Sequence, residues 1–157
     1  MHSRARQLAA AVAILTATTP SAHADILLAK ARTAEYYVPA GAAVAIPLDA
    51  KGNTELTFKT KKKGLVKIVY NAECAAIGDP EDWVGLEIYV NNRITNPKVG
   101  VNDFALCTAT GGTEIYTAVS RQAWINLDKG THTLRVLASR QGVDSARLDD
   151  TSIVIKD

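Results

Sequence analysis

The sequence predicts that residues 25–157 form one all-β domain, a two-sheet antiparallel β-sandwich of jelly-roll type. Apolar and polar residues alternate in almost every run after residue 35, as they do in strands that bury one face. Turn-forming residues separate these runs, as at Lys63-Gly64 and Gln141-Gly142. Short strands at this spacing are typical of sandwiches, either a jelly roll or an Ig-like Greek key, and the pattern leaves the strand order open.

The first 24 residues have the three parts of a secretory signal peptide. Arg4 and Arg6 give a positive start, an apolar run covers residues 8–17, and Ala22-His23-Ala24 supplies a cleavage site. The apolar run is much shorter than the roughly 20 residues that a membrane-spanning helix needs. We therefore expect cleavage after Ala24 and a secreted or periplasmic protein without a membrane span.

The alternation assigns an inner and an outer face to each predicted strand. Residues 25–35 fit either a short helix or an edge strand, and Asn91-Asn92 predicts a tight hairpin because Asn tolerates positive φ. The predicted inward sets are Leu56 and Phe58; Val66, Ile68, Tyr70, Ala72 and Cys74; Val84, Leu86, Ile88 and Val90; Ala123, Ile125 and Leu127; Leu134, Val136 and Ala138; and Ile153 and Ile155. The set opposite Val84 is Trp83, Gly85, Glu87 and Tyr89.

The charge balance changes when the signal peptide is removed. The full chain has 18 Lys and Arg against 16 Asp and Glu, and the surplus lies at Arg4 and Arg6. Residues 25–157 are therefore formally neutral, which argues against a nucleic-acid partner, because such binders present a basic surface. The local lysine cluster is either a solvated turn or a contact for an anionic surface partner. Its members are Lys59, Lys61, Lys62 and Lys63.

Cys74 and Cys107 are the two cysteines of the chain. In an exported protein, two cysteines most simply indicate one disulfide bond. Two free thiols or a metal pair are the alternatives. A zinc site does not fit, because the cysteines are far apart and His132 is the only histidine after residue 24. We expect a structural disulfide between Cys74 and Cys107.

Four segments together resemble a known group of proteins. They are Gly64 to Cys74, Leu86 to Ile94, Leu127 to Val136, and Leu148 to Ile155. The group consists of small exported bacterial β-sandwich proteins that are largely uncharacterised, and Cys107 stands where their pattern has its second cysteine. More distantly, the order of segments is similar to C1q/TNF-like jelly rolls, although this chain lacks a collagen-like repeat. The resemblance implies a jelly roll and a possible homotrimer, and it implies no catalytic residues.

Catalytic chemistry needs converging groups, and few are present after residue 24. His132 is accompanied by no Gly-x-Ser-x-Gly motif that would supply a nucleophile. Gly111-Gly112 lacks the strand-to-helix context of a phosphate-binding loop. A glycosidase-like pair of carboxylates stays open as an alternative, but no two acids stand out. We predict a protein that is not an enzyme and needs no cofactor, with His132 either structural or partly exposed.

Asp79, Glu81 and Asp82 place three carboxylates in one loop before Trp83. Calcium binds loop carboxylates and backbone oxygens, so these three residues are weak candidates for Ca2+ ligands. The spaced glycine of an EF-hand loop is absent. An acidic turn exposed to water is the alternative interpretation.

Trp83, Tyr89 and Trp124 give the main functional indication. Each falls on the parity opposite to the inward aliphatic residues, so each ring is either exposed or covered by another segment. Exposed rings suit stacking on a sugar or an apolar ligand, and Gly85 leaves space for close approach. The same rings suit a subunit interface, where Trp and Tyr are enriched.

We therefore expect an exported, non-catalytic binding module whose ligand is a carbohydrate or another surface component. The alternative is a structural or cell-surface protein of C1q/TNF-like form that assembles with copies of itself, as a trimer for example. In that alternative the aromatic face is buried between protomers.

Overall fold

The computed structural model describes residues 24–100 and 104–157, and the regular secondary structure in this part of the chain is β-strand. The predicted signal peptide, apart from Ala24, lies outside the described residues and stays a prediction. The strands are β1 (Ile26–Arg32), β2 (Tyr36–Tyr37), β3 (Val44–Ala45), β4 (Leu56–Thr60), β5 (Gly64–Ile77), β6 (Trp83–Val90), β7 (Arg93–Ile94), β8 (Ala105–Thr108), β9 (Thr117–Leu127), β10 (Gly130–Gln141) and β11 (Ser145–Lys156).

The strands form two antiparallel sheets that face each other. Sheet A has the order β1-β11-β5-β9, with β2 also paired to β11. Sheet B has the order β3-β10-β6-β7, with β4 also paired to β10 and β8 to β6. The pairs are nested along the chain, since β1 pairs with β11, β4 with β10, β5 with β9 and β6 with β8. Nested pairs divided between two sheets make a jelly roll, so the predicted fold class is confirmed.

The core lies between the two sheets and is built from the inward sets that the alternation predicts. Every one of those residues is at most 6% exposed, and Ile68, Leu86, Ile88 and Leu134 are fully buried. Burying an aliphatic side chain of this size contributes about 1.5–3 kcal/mol. The period-two pattern therefore identifies the main stabilising surface of the fold.

Two local predictions are resolved at the ends of strands. Residues 25–35 contain the edge strand β1, which pairs with β11 through Ala29 and Val154, so the edge-strand alternative is correct. Asn91 and Asn92 have φ of 52° and 61°, and they form the hairpin between β6 and β7. Positive φ at both central residues is the requirement of a type I′ turn, and Asn meets it at low cost.

The disulfide bond between Cys74 and Cys107 is present, as predicted. Cys74 lies in β5 of sheet A and Cys107 in β8 of sheet B, with 6.2 Å between their Cα atoms. The bond therefore ties the two sheets together at one end of the sandwich, near the loops that precede β6 and β9.

Candidate functional site

Trp83 and Tyr89 have the outward parity of β6 in sheet B, opposite to the buried Val84, Leu86, Ile88 and Val90. Both side chains are half-buried. Trp83 pairs with Thr108 and Gln141 on the flanking strands, and its Nε1 atom is buried without a hydrogen-bond partner among the described residues. Both rings are therefore partly covered, and their use in a ligand site or an interface stays a prediction.

Trp124 lies on the other sheet and is 43% exposed. Its outward parity in β9 follows from the inward positions of Ala123 and Ile125, so the sequence predicted its direction correctly. Because Trp124 belongs to sheet A and Trp83 to sheet B, the three predicted aromatic residues do not share one surface. Trp124 alone remains as an open aromatic ring among them.

Trp124 sits on a backbone that is fixed from both sides. In β9 it pairs with Lys67 of β5, and on its free edge it exchanges two hydrogen bonds with Asn96. The Asn96 N–H donates to the Trp124 carbonyl at 2.8 Å, and the Trp124 N–H donates to the Asn96 carbonyl at 3.0 Å. The ring is therefore held on rigid strands rather than on a loop, which lowers the entropic cost of binding.

The outer side of sheet A around this ring carries two adjoining open depressions. One, of about 380 Å³, is lined by Trp124, Gln122, Lys67, Val69 and Leu65. The other, of about 360 Å³, is lined by Leu65, Lys67 and Val69 as well, together with Ala24, Lys156 and Asp157. We call the side chains of Leu65, Lys67, Val69, Gln122, Trp124 and Lys156 the Trp124 face. It combines apolar surface with an amide and two ammonium groups that point to solvent.

A polar stretch continues along the same side of sheet A. A depression of about 360 Å³ there is lined by Asn71, Glu73, Ser120 and Asp150, among others. The Asn71 side-chain amide donates to the Ser152 hydroxyl oxygen at 3.2 Å. Sheet A therefore offers hydrogen-bonding groups beside the Trp124 face.

The far end of sheet A holds a cluster that the sequence did not reveal. Arg147 contacts Glu35 at 3.4 Å and Glu114 at 2.8 Å, and its guanidinium lies 4.6 Å from the ring centroid of Tyr37. The Tyr116 hydroxyl donates to Glu35. The hydrogen bonds from Tyr116 and Tyr37, aided by Arg147, lower the pKa of Glu35, although desolvation opposes them. These residues come from three distant segments, so no local pattern could have joined them.

A buried ion pair joins Glu87 of β6 in sheet B to Arg121 of β9 in sheet A. The side chains of Glu87 and Arg121 are 0% and 3% exposed, and 3.6 Å separates Glu87 Oε1 from Arg121 Nη2. Arg121 also stacks on Phe104, with its guanidinium 3.8 Å from the ring centroid, and donates to the Pro97 carbonyl at 3.3 Å. Burial raises the pKa of Glu87, while the Ile88 N–H and Arg121 oppose that rise. Arg121 therefore connects Glu87 with Pro97 and Phe104.

His132 makes hydrogen bonds with residues from three parts of the fold. Its Nε2 lies 3.0 Å from the Asp128 carbonyl and 3.1 Å from the Thr60 hydroxyl, and its Nδ1 lies 2.9 Å from the Asn91 side-chain amide nitrogen. Because a carbonyl only accepts, these contacts favour the tautomer protonated on Nε2. The histidine links the ends of β4, β6 and β10.

The predicted calcium candidates form a turn. The Asp82 carboxylate accepts the Asp79 N–H at 2.9 Å and lies against Gly142, while Glu81 points to solvent. Within residues 24–100 and 104–157, no three His, Cys, Asp or Glu side chains are grouped so that they could hold a metal ion. The carboxylate of Asp82 is thus engaged with its own loop.

Comparisons with known proteins give structural likeness only. No protein-family model matches the chain, and no curated protein sequence matches it. A family 35 carbohydrate binding module from Clostridium thermocellum has 16% identity over 84% of this chain and 98% of its own, with a TM-score of 0.40. The C-terminal domain of EclA, a sugar-binding protein, has 12% identity over 86% of each chain, with a TM-score of 0.41.

A ruminal GH26 endo-β-1,4-mannanase has 15% identity over 66% of this chain, with a TM-score of 0.34, and the match spans 17% of the mannanase. At these identities and scores the likenesses carry no argument about function. The resemblance to C1q/TNF-like proteins stays a prediction. In the described part of the chain, no helix is long and apolar enough to cross a membrane.

Proposed function

We propose that this chain is an exported, non-catalytic module that binds carbohydrate through the Trp124 face. One observation carries the proposal: Trp124 is an exposed indole on rigid strands, in a depression that also presents the Gln122 amide and the Lys67 ammonium. A sugar has apolar C–H faces and hydroxyl edges. An aromatic ring beside a few convergent polar groups matches both parts.

The direct test is binding of the purified 25–157 domain to polysaccharides, measured by affinity electrophoresis and isothermal titration. We expect Trp124→Ala to weaken binding at least tenfold, about 1.4 kcal/mol, because the stacking surface is lost. Since the ring is exposed, the free energy of unfolding should change little. Trp124→Tyr should retain part of the affinity, because a flat ring remains.

The matched control is Ile115→Ala, which removes a side chain that is 50% exposed in the loop before β9. This variant should bind as tightly as the wild type. Unchanged affinity in Trp124→Ala, or no binding of any polysaccharide by the folded wild-type domain, would contradict the proposal.

Self-assembly is the second candidate function, and a specific observation supports it. Ile26, Leu65 and Trp124 are 64%, 44% and 43% exposed, and all three lie toward the same end of sheet A. Exposed apolar residues of this kind also mark protein interfaces. Light scattering separates the two candidates: a monomer supports the carbohydrate proposal, whereas a trimer that Trp124→Ala dissociates supports assembly.

A further inference from the structure

Two lysines continue the row that begins at Trp124. Across sheet A, Trp124 of β9 stands directly opposite Lys67 of β5, and Lys67 stands directly opposite Lys156 of β11. Neighbouring strands are about 4.8 Å apart. Both side chains are exposed on the outer side of the sheet. A ligand stacked on the indole therefore lies within reach of the Lys67 ammonium and next to that of Lys156.

The stability of the fold does not explain this pair. Like charges directly opposite each other in a sheet are destabilising. Within residues 24–100 and 104–157, neither lysine forms an ion pair, whereas Lys61 and Lys63 nearby are paired at 3.0 Å with Asp25 and Asp128. Two adjacent unpaired cations beside an exposed indole form a ready site for an anion.

The acidic residues of this surface lie mostly elsewhere. In the described part of the chain, Asp157 is the only acidic residue that lines the two depressions of the Trp124 face. Glu73 lies six residues along β5 from Lys67, or about 20 Å at the rise of a strand. In the strand register it stands opposite Asp149 of β11, so two acidic residues lie together there. Lys67 is thus well separated from Glu73 and Asp149, while the acidic residues beside Lys156 are Asp157 and Asp25, whose main chains are hydrogen-bonded at 3.2 Å.

We propose that the carbohydrate is an acidic polysaccharide, whose uronate carboxylates contact Lys67 and Lys156 while a sugar ring stacks on Trp124. This inference rests on the proposed function and specifies its ligand. A nucleic acid fits less well, because residues 25–157 are formally neutral and, in the described part of the chain, Trp124 is the only aromatic residue that lines the two depressions.

The test compares polygalacturonate with the same polymer after full methyl esterification, which removes the charge and keeps the backbone. We expect the 25–157 domain to bind polygalacturonate at least tenfold more tightly than the ester. Raising NaCl from 50 to 500 mM should reduce that difference, because salt screens exposed charges. The Lys67→Gln/Lys156→Gln double variant should lose the preference and bind the two polymers with similar affinity.

Lys59→Gln is the matched control, since Lys59 is an exposed lysine on β4 in sheet B. It should leave the preference unchanged. Equal binding of both polymers, or Trp124-dependent binding of neutral glucans alone, would overturn the inference and leave the proposed function standing. Failure to bind any polysaccharide would overturn both. Tighter binding of single-stranded DNA than of polygalacturonate would also reject the inference.

Discussion

At the scale of single residues, Glu87 shows how a side chain can depart from the pattern of its strand. It has the outward parity of Trp83 and Tyr89, yet it is fully buried beside Arg121. Removing one partner of a buried ion pair leaves an uncompensated charge, at a typical cost of 3–5 kcal/mol. We expect Arg121→Met to destabilise the domain by about 3 kcal/mol at neutral pH, measured by urea unfolding.

The pH dependence of that variant identifies the cause. Burial raises the pKa of Glu87 in the folded state above its unfolded value of about 4.3. The contribution of the protonated Glu87 carboxyl to the free energy of unfolding is therefore fully present below about pH 4.3. It is lost as the pH rises through the folded-state pKa. Without Arg121 the pKa rises further, so Arg121→Met should cost less at pH 4.5 than at pH 7.5. A cost independent of pH, or no recovery in Glu87→Gln/Arg121→Met, would mean that packing alone is lost.

At the scale of elements, three loops meet at Asp82. Its carboxylate accepts the Asp79 N–H, its carbonyl accepts the Ala109 N–H at 2.9 Å, and its side chain fills the space beside Gly142 in the turn between β10 and β11. A Cβ atom at Gly142 would lie 1.9 Å from Asp82 Oδ1. The turn therefore depends on the absence of a side chain there.

Gly111 provides a matched comparison for Gly142. Both glycines have φ of +83°, but a Cβ atom at Gly111 would meet nothing within 4 Å. Alanine at either position should cost about 1–2 kcal/mol for the left-handed backbone. Gly142→Ala should cost about 1 kcal/mol more, because Asp82 must move and lose its hydrogen bond to Asp79. Urea unfolding should show equal costs for the two glycine variants in an Asp82→Ala background; equal costs already in the wild-type background would contradict this account.

Element-scale patterns explain which parts of the site were predictable. Alternation within one strand is local, so it placed Val66 and Ile68 inward and Trp124 outward correctly. It does not reveal which other segment covers an outward residue. Trp83 is therefore half-buried and Glu87 fully buried, although both have outward parity. The cluster around Arg147 depends on residues more than 100 positions apart, such as Glu35, and only the folded chain brings them together.

At the scale of the whole molecule, the sequence predicted the jelly-roll class but not the neighbours of each strand. Every strand with one apolar face satisfies the same alternation, so the pattern specifies faces and leaves the pairing to long-range contacts. The nesting of β1 with β11 and of β5 with β9 is a property of the whole chain. It also places Lys67 and Lys156, which are distant in sequence, on one surface beside Trp124.

The disulfide bond is the covalent link between the two sheets, and its removal tests how stability and binding are distributed. Cys74 and Cys107 are separated by 33 positions, and closing a loop of that length in the unfolded chain stabilises a protein by about 4 kcal/mol in the chain-entropy model. We expect Cys74→Ala/Cys107→Ala to lower the free energy of unfolding by about that amount. Reduced wild-type protein should unfold at nearly the same temperature as this variant.

Binding should respond differently from stability. Cys74 pairs with Thr117 at one end of β5, whereas Lys67 pairs with Trp124 seven residues away, about 23 Å at the rise of a strand. The folded fraction of Cys74→Ala/Cys107→Ala should therefore bind polysaccharide with wild-type affinity at a temperature well below its unfolding transition. If affinity falls while circular dichroism shows a folded domain, the geometry of the Trp124 face depends on the link between the sheets. Intact affinity with a lower unfolding temperature would show that this face is supported by sheet A and its contact with Asn96.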